Sequence, residues 1–212
     1  MDRINQINLT INVTFNEITG HLINDKAPSN YFNSLDKQLR KYPLSMIWEL
    51  KNVEQSPTYH PEGNVWNHTM MVVDEAAKVK DHSGDSKVFM WASLLHDIGK
   101  PDTTKVRRGK ITSYDHDIVG ARLAIKFLEF YTRDYDFIDK VSKMVKYHMH
   151  MLYVLKGLPF GNQARMIEET NIHDIALLCK CDRLGRIGAD IEAEHNNYKE
   201  FIRVLHNNNK GI

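Results

Sequence analysis

An imidazole and a carboxylate stand next to each other, at His96 and Asp97, where an apolar helical segment is about to end. Leu94 and Leu95 precede the pair, and the segment Gly99–Pro101 is expected to end the helix. Adjacent residues of an α-helix point about 100° apart. Both side chains can therefore reach one ion only if the end of the helix lines the pocket of that ion. The fold has to close other helices around this end, and these have to supply the remaining ligands.

Apolar periodicity and capping residues predict an all-α fold with one small β-hairpin. Near the N-terminus, a helical stripe over residues 4–22 is favoured over the strand-like alternation of residues 7–15. Asp85 or Ser86 is expected to cap the helix that leads to His96, and Asn171 the helix that ends at Cys181. Further helices are predicted at Tyr31–Arg40, Leu44–Lys51, Val65–Lys80, Asp115–Tyr131, Phe137–Leu155 and Ala189–Leu205, the hairpin at Thr103–Tyr114, and loops at Asp25–Asn30, Gln55–Asn64 and Gly157–Gly161.

Composition limits the classes of protein and of partner. The 212 residues are 42% hydrophobic, which suffices for a full core. With 28 basic and 27 acidic residues, the chain is too neutral for tight nonspecific binding of nucleic acid, although local basic patches can attract small anions. Cys179 and Cys181 are expected to be buried thiols in a reducing cytosol. With neither a signal-peptide core nor a membrane-length apolar stretch, we expect a cytoplasmic protein without membrane contact.

Several of the eleven histidines are candidate metal ligands, and each has a simpler structural explanation. His68 lies among apolar residues of a predicted helix, where a lone histidine is more often a satisfied core residue. His116 opens a helix and could be a surface residue near the cap. His148 could belong to an amphipathic helix face, and His150 competes with it for any role.

Asp182 is a further candidate because it follows the apolar face of a predicted helix. Burying a carboxylate there costs free energy unless it is paired or bound to a metal. A salt bridge to Arg183 or Arg186 explains it about equally well, and these arginines could also contact phosphate or support a ligand.

Together, the candidates resemble the HD-domain superfamily of metal-dependent phosphohydrolases, whose pattern is a histidine, a His-Asp pair and a distant aspartate, all on helices. The resemblance is most specific to the HD domain of bacterial CCA-adding tRNA nucleotidyltransferases. It covers about residues 28–190 and rests on three blocks, Tyr59–Thr69, Leu94–Pro101 and Cys181–Arg186. It implies an HD-domain helical bundle, which we place at residues 28–206, after an N-terminal helical extension at 1–27 and before a tail at 207–212.

The nucleotidyltransferase head of those enzymes is not expected here. About 60 residues precede the HD block, and they lack a Gly-rich turn with paired aspartates. We therefore expect a stand-alone HD hydrolase rather than a CCA-adding enzyme.

The resemblance implies that His68, His96, Asp97 and Asp182 hold one divalent ion, the one firmly expected metal site. His116 and His148 match the positions that complete a second site, with Asp97 as the bridge. In one-metal members such histidines contact phosphate instead, and two ions are slightly favoured. This donor set suits Mn, Fe, Co, Ni, Zn or Mg and leaves open positions for water, whose pKa the ion lowers.

Lys100 is the second candidate catalytic residue beside Asp97, as a point charge for a phosphate. A lysine that stabilises a helix C-terminus explains it equally well. Lys105, Arg107, Arg108 and Lys110 lie on the predicted hairpin, where a solvated turn is favoured over a basic rim for anionic substrates.

The function expected from the sequence is hydrolysis of a phosphomonoester or phosphodiester, of a nucleotide or nucleotide-like substrate, by water that the metal activates. The partner is then a small phosphorylated substrate. The alternative is a non-catalytic HD module that binds a nucleotide or accompanies tRNA processing. A purely structural helical protein is disfavoured because the blocks occur in order.

Overall fold

The computed structural model describes residues 14–209, and in them it confirms a helical bundle with one hairpin. The N-terminal part contains α1 (residues 14–24), α2 (Ser29–Ser34), α3 (Asp36–Leu39), α4 (Ser45–Trp48) and a 3₁₀ turn (Glu49–Asn52). The part that carries the candidate ligands contains α5 (Val65–Val79), a 3₁₀ turn (Lys80–His82), α6 (Ser86–Leu95), α7 (Lys100–Thr103), β1 (Thr104–Arg107), β2 (Lys110–Ser113), α8 (His116–Glu129), α9 (Tyr135–Tyr147), α10 (His150–Leu155), α11 (Gln163–Glu169), α12 (Ile172–Leu184) and α13 (Ile191–Asn209).

Side-chain caps start the helices that carry the ligands. The side chain of Asn64 accepts from the backbone N–H of Asn67 at 2.9 Å, at the start of α5. Asp85 caps α6 and Asn171 caps α12 through the same type of bond, as the sequence predicts. Capping hydrogen bonds close in sequence thus fix where α5, which carries the candidate ligand His68, and the apolar helix α6 begin.

Helix α6 lies in the interior of the bundle. Its residues from Val88 to Leu95 are all buried, and it packs against α5, α9 and α12. A helix that is apolar all round has to be covered on every side. Its C-terminal end, where His96 and Asp97 lie, is therefore deep inside the protein.

The predicted helix Phe137–Leu155 is wrong in one respect, because it is broken at His148. Helix α9 ends at Tyr147, and α10 starts at His150. The Nδ1 of His148 donates to the carbonyl oxygen of Val145 at 2.6 Å, so the side chain takes an acceptor near the helix end.

Other boundaries differ from the prediction. Helix α11 was not expected, α12 continues past Cys181 to Leu184, and α13 continues past Leu205 to Asn209. The N-terminal stripe is helical over residues 14–24, and its residues 4–13 lie outside the described part. Helix α1 contributes Phe15 to the common core. The division of the chain at residues 27 and 206 stays a prediction.

Strands β1 and β2 pair antiparallel, with Thr104 opposite Ser113 and Arg107 opposite Lys110. This is the predicted hairpin. It connects the segment after Asp97 to His116, the first residue of α8. In residues 14–209, no helix is both long enough and apolar enough to span a membrane.

Gly99 allows the turn after the His-Asp pair to touch α8. A Cβ at this position would lie 2.2 Å from the carbonyl oxygen of His116 and 2.6 Å from the backbone nitrogen of Gly120. Both neighbours are backbone atoms of α8, so they cannot move as a flexible side chain would. The glycine therefore sets how closely the His96–Asp97 turn approaches His116.

We expect Gly99→Ala to lower the free energy of unfolding by about 1–3 kcal/mol, the usual cost of overpacking. Urea denaturation followed by circular dichroism measures this change. Gly20→Ala is the matched control, because a Cβ at Gly20 has no neighbour within 4 Å. Since residue 20 is helical, this control should be neutral or more stable by about 0.5–1 kcal/mol. Equal stability of Gly99→Ala and wild type would contradict the close approach.

Candidate metal centre

The first group of candidate ligands consists of His68, His96 and Asp182, from α5, the end of α6 and α12. Their ligand atoms lie within 4.8 Å of one another, and all three residues are buried. Nε2 of His68 is 2.9 Å from Oδ1 of Asp182 and 3.4 Å from Nε2 of His96. Three different helices thus bring these residues to one point.

The second group consists of Asp97, His116 and His148, which are also buried and also have ligand atoms within 4.8 Å of one another. Nε2 of His116 lies 3.2 Å from Nε2 of His148. The structure therefore brings together all six residues predicted as ligands, in two adjoining groups. Their roles as ligands stay predictions.

Asp97 lies between the two groups, and each of its oxygens faces one of them. Oδ2 is 3.3 Å from Nε2 of His96 and 3.7 Å from Nε2 of His68. Oδ1 is 3.4 Å from Nε2 of His116 and 3.8 Å from Nε2 of His148. This is the arrangement that a carboxylate needs in order to bridge two ions.

The four histidines of the two groups each donate Nδ1–H to a backbone carbonyl oxygen. A carbonyl oxygen only accepts, so Nδ1 carries the hydrogen, and in the neutral ring Nε2 is left with a lone pair. In three cases the acceptor lies three residues earlier in the chain. The bonds run from His68 to Gly185 (3.0 Å), from His96 to Ser93 (2.8 Å), from His116 to Ser113 (2.7 Å) and from His148 to Val145 (2.6 Å).

The donor atoms fit a metal ion. Two donors that are each about 2.1 Å from one ion, at angles of 90–110°, lie about 3.0–3.4 Å apart. The Nε2 atoms of His116 and His148 have this separation, and two neutral lone pairs at 3.2 Å repel each other without a cation. Asp97 is buried, and the Lys100 ammonium lies 2.7 Å from its Oδ2, while Oδ1 faces the imidazoles of His116 and His148. A divalent ion between Oδ1 and these imidazoles would bind the facing lone pairs.

Burial and the neighbouring charges set the protonation states. Burial lowers the pKa of His116 to about 3 and also lowers the pKa of His148, so both rings stay neutral. Burial disfavours the charged form of His68, but hydrogen bonds to Asp182 and Glu62 raise its pKa. A proton on His68 Nε2 can therefore bond to Asp182, and a metal ion in this group has to displace it.

Both candidate carboxylates are ionised. Burial alone would raise the pKa of Asp97, but the Lys100 ammonium and the His96 imidazole hold it well below its usual value. Burial would likewise raise the pKa of Asp182, and Arg186 together with His68 holds it well below its usual value. The charged forms are those that bind metal.

Lys100 is buried beside Asp97. Its Nζ lies 2.7 Å from Asp97 Oδ2 and donates to Oε1 of Gln55 at 2.7 Å. The lysine therefore lies beside the site, which agrees with one of its two sequence interpretations, but two of its three hydrogens already point at protein atoms. Its role towards a phosphate stays a prediction.

Glu62 was not predicted, and the structure places it behind His68. Its Oε1 is 3.1 Å from Nδ1 of His68 and accepts from Nδ1 of His60 at 2.8 Å. Burial would raise the pKa of Glu62, but the hydrogen bonds from these rings lower it to about 2. The one available signal was an acidic residue in a non-acidic loop, six residues before His68. A carboxylate in this place orients the imidazole and raises its basicity.

The other candidates lie outside the two groups. Arg186 donates to Oδ1 of Asp182 at 3.2 Å and so helps to hold this candidate ligand in place. Nε of Arg183 instead donates to Glu194 of α13 at 2.7 Å. His150 is buried, and neither of its ring nitrogens has a hydrogen-bond partner in the described part of the chain. Of the two competing histidines, His148 is the one that faces Asp97.

The family model described as HD domain matches residues 65–186, which include all six candidate ligands. The chain is also similar to several proteins named Multifunctional CCA protein. The one from Alkalilimnicola ehrlichii is 28% identical over 159 residues, which cover 69% of this chain and 36% of that protein. The one from Methylococcus capsulatus is 27% identical over 176 residues, which cover 77% and 39%.

A shorter and more similar stretch occurs in the protein of the same name from Halorhodospira halophila. It is 49% identical over 57 residues, which cover 27% of this chain and 13% of that protein. The chain thus spans well under half the length of the relatives it matches. The resemblance inferred from the three sequence blocks is confirmed.

Replacement of Glu62 tests its support of His68. We expect Glu62→Gln to weaken Mn²⁺ binding by about 10- to 100-fold, because a neutral amide no longer holds and polarises the imidazole. Isothermal titration calorimetry gives the affinity. Glu54→Gln is the control, since Glu54 is exposed in the same segment, and it should bind as wild type does. Equal affinity of both variants would show that Glu62 has no such role.

Proposed function

The chain belongs to the HD-domain family, within the superfamily of metal-dependent phosphohydrolases, and from this premise we propose that it hydrolyses a phosphomonoester or phosphodiester of nucleotide-like chemistry. HD domains bind divalent metal ions, and the two His/Asp groups can hold them. The natural partner in this proposal is a small phosphorylated substrate. The identity of the metal is left open among Mn, Fe, Co, Ni, Zn and Mg.

The position of Asp97 carries the proposal. One ionised carboxylate faces two pairs of imidazoles, and the Nε2 atoms of all four rings lie within 4 Å of its oxygens. A helical protein that only needed a packed core would gain nothing from this arrangement, because buried polar groups without partners cost free energy. In our proposal, His68, His96, Asp97 and Asp182 hold one ion, and His116 and His148 hold a second one together with Asp97.

The chemistry that such ions supply is activation of water near neutral pH and polarisation of a phosphoryl oxygen. The protein residues prepare the site for this. The carbonyl bonds fix the imidazole tautomers, and burial keeps His116 and His148 neutral. Lys100 places a positive charge beside Asp97, where it can also offset the charge of a phosphate.

The alternative is an HD module that binds a nucleotide or accompanies tRNA processing without catalysis. The similarity to Multifunctional CCA proteins favours it. A binding module, however, would not need Asp182 and both additional histidines in one cluster. The enzyme is therefore the stronger proposal.

Metal-dependent turnover tests this proposal. We expect protein dialysed against chelator to be inactive, and added Mn²⁺ to restore hydrolysis of p-nitrophenyl phosphate or bis-p-nitrophenyl phosphate, measured by absorbance. Asp97→Ala should abolish both this activity and bound metal in elemental analysis. Asp102→Ala, an exposed carboxylate of the next helix, is the control and should retain both.

Two outcomes would contradict the proposal. Full turnover by Asp97→Ala would place the reaction elsewhere. Metal-loaded wild type without turnover of any phosphomonoester, cyclic phosphodiester or nucleotide in a screen would favour the binding module.

A further inference from the structure

The hairpin Thr104–Ser113, here called the basic ribbon, grows directly out of the candidate metal centre. The carbonyl oxygen of Ser113, its last residue, accepts from Nδ1 of His116 at 2.7 Å. At its other end, β1 follows α7, whose first residue Lys100 lies 2.7 Å from Asp97. The root of the ribbon therefore borders the site, and its tip extends away from it.

Three cations share one face of the basic ribbon. Residues directly opposite in an antiparallel pair lie on the same face, and so do residues two apart in a strand. Arg107 is opposite Lys110, and Lys105 lies two residues from Arg107. Like charges in opposite positions destabilise a hairpin. In residues 14–209 none of these three exposed side chains forms an ion pair with an acidic residue, so their charges are available to a ligand.

A fourth cation occupies the turn of the ribbon at an unfavourable place. Arg108 has φ 51° and Gly109 has φ 75°, the positive values of a two-residue hairpin turn. Asparagine or glycine is usual at the position of Arg108, because a side chain there is strained. The tip thus keeps a cation at a cost to folding, and such an outlier indicates a function.

An exposed aromatic ring lies beside these charges. Tyr114 is 58% exposed, and the guanidinium of Arg107 lies 5.1 Å from the centre of its ring. Cations that follow a backbone, together with an aromatic face on which bases stack, are the recurring elements of single-strand recognition. A lipid surface would need a broad apolar face instead.

The reach of the basic ribbon indicates the size of its ligand. Three residue steps separate Ser113 from Lys110, which is about 10 Å of extended chain. Nucleotides follow one another at about 3.4 Å along a stacked strand, so this distance corresponds to about three nucleotide steps, which join four phosphates. We infer that the basic ribbon binds the phosphate backbone of a single-stranded oligonucleotide that extends from the metal centre.

This inference rests on the proposed function in one respect, namely that one end of the oligonucleotide enters the metal centre. Binding by the ribbon itself needs no turnover. It also agrees with the nearly neutral chain, because four cations give weak and salt-dependent binding rather than tight nonspecific binding. Each phosphate contact with a single strand contributes about 0.7 to the slope of log affinity against log salt concentration.

The test is fluorescence anisotropy with a labelled 12-nucleotide oligouridylate between 25 and 200 mM salt. For wild type we expect a slope of about −3, from four contacts. Arg107→Thr/Arg108→Gly/Lys110→Thr should bind at least ten-fold more weakly at low salt, with a slope of about −1. Threonine suits strands and glycine suits the turn, so this variant should melt no lower than wild type. Arg108→Gly alone should melt no lower and bind detectably more weakly.

The matched control is Lys126→Gln/Lys140→Gln/Lys199→Gln, which removes three exposed cations from helices α8, α9 and α13. It should bind oligouridylate as wild type does. Equal binding by the ribbon variant, an equal loss in the control, or binding to phosphatidylserine vesicles but not to oligouridylate would each overturn the inference.

A separate readout distinguishes this inference from the proposed function. The ribbon variant should hydrolyse p-nitrophenyl phosphate with Mn²⁺ at the wild-type rate. If wild type binds oligouridylate through the ribbon but hydrolyses no ester, the proposed function fails and the inference stands. If wild type hydrolyses the ester but binds no oligouridylate, the inference fails and the proposed function stands.

Discussion

The hydrogen bonds from four Nδ1 atoms to backbone carbonyl oxygens set the chemistry of this protein. Each bond places the hydrogen of the neutral ring on Nδ1 and turns Nε2 towards Asp97. For His96 and His148 the acceptor lies three residues earlier, at the end of the helix that the histidine follows. In both cases, the hydrogen bond at the end of the helix also orients the imidazole. The direction of the imidazole therefore depends on the backbone conformation at the helix end.

Because the end of α6 lies inside the bundle, two carboxylates and four imidazoles are buried together, and their burial costs free energy of folding. Buried charges are tolerated only with partners. Lys100 and Arg186 supply positive charge to Asp97 and Asp182, and Glu62 supplies a carboxylate to His68. Gly99 completes the arrangement, because a side chain there would separate the His96–Asp97 turn from His116. The surroundings thus stabilise the ionised carboxylates, while the Nε2 lone pairs of the neutral His116 and His148 face each other at 3.2 Å.

Most of the fold could be predicted from the sequence, because caps such as Asp85 and Asn171 and the apolar periodicity are local signals. The six candidate ligands could be chosen because their order and contexts resemble a family. The break at His148 could not be predicted, because apolar periodicity gives no sign of the hydrogen bond from the His148 side chain to the carbonyl oxygen of Val145. The role of Glu62 could not be predicted either, because periodicity does not show that the loop turns this carboxylate back onto the imidazoles of His60 and His68.

Anomalous diffraction from crystals grown with Mn²⁺ tests the central claim, that the two His/Asp groups bind divalent ions on either side of Asp97. The account predicts two peaks, one within coordination distance of His68, His96 and Asp182, and one within coordination distance of His116 and His148. Asp97 should contact both. A single peak would contradict the bridging role of Asp97, and the absence of any peak at these residues would contradict the metal centre itself.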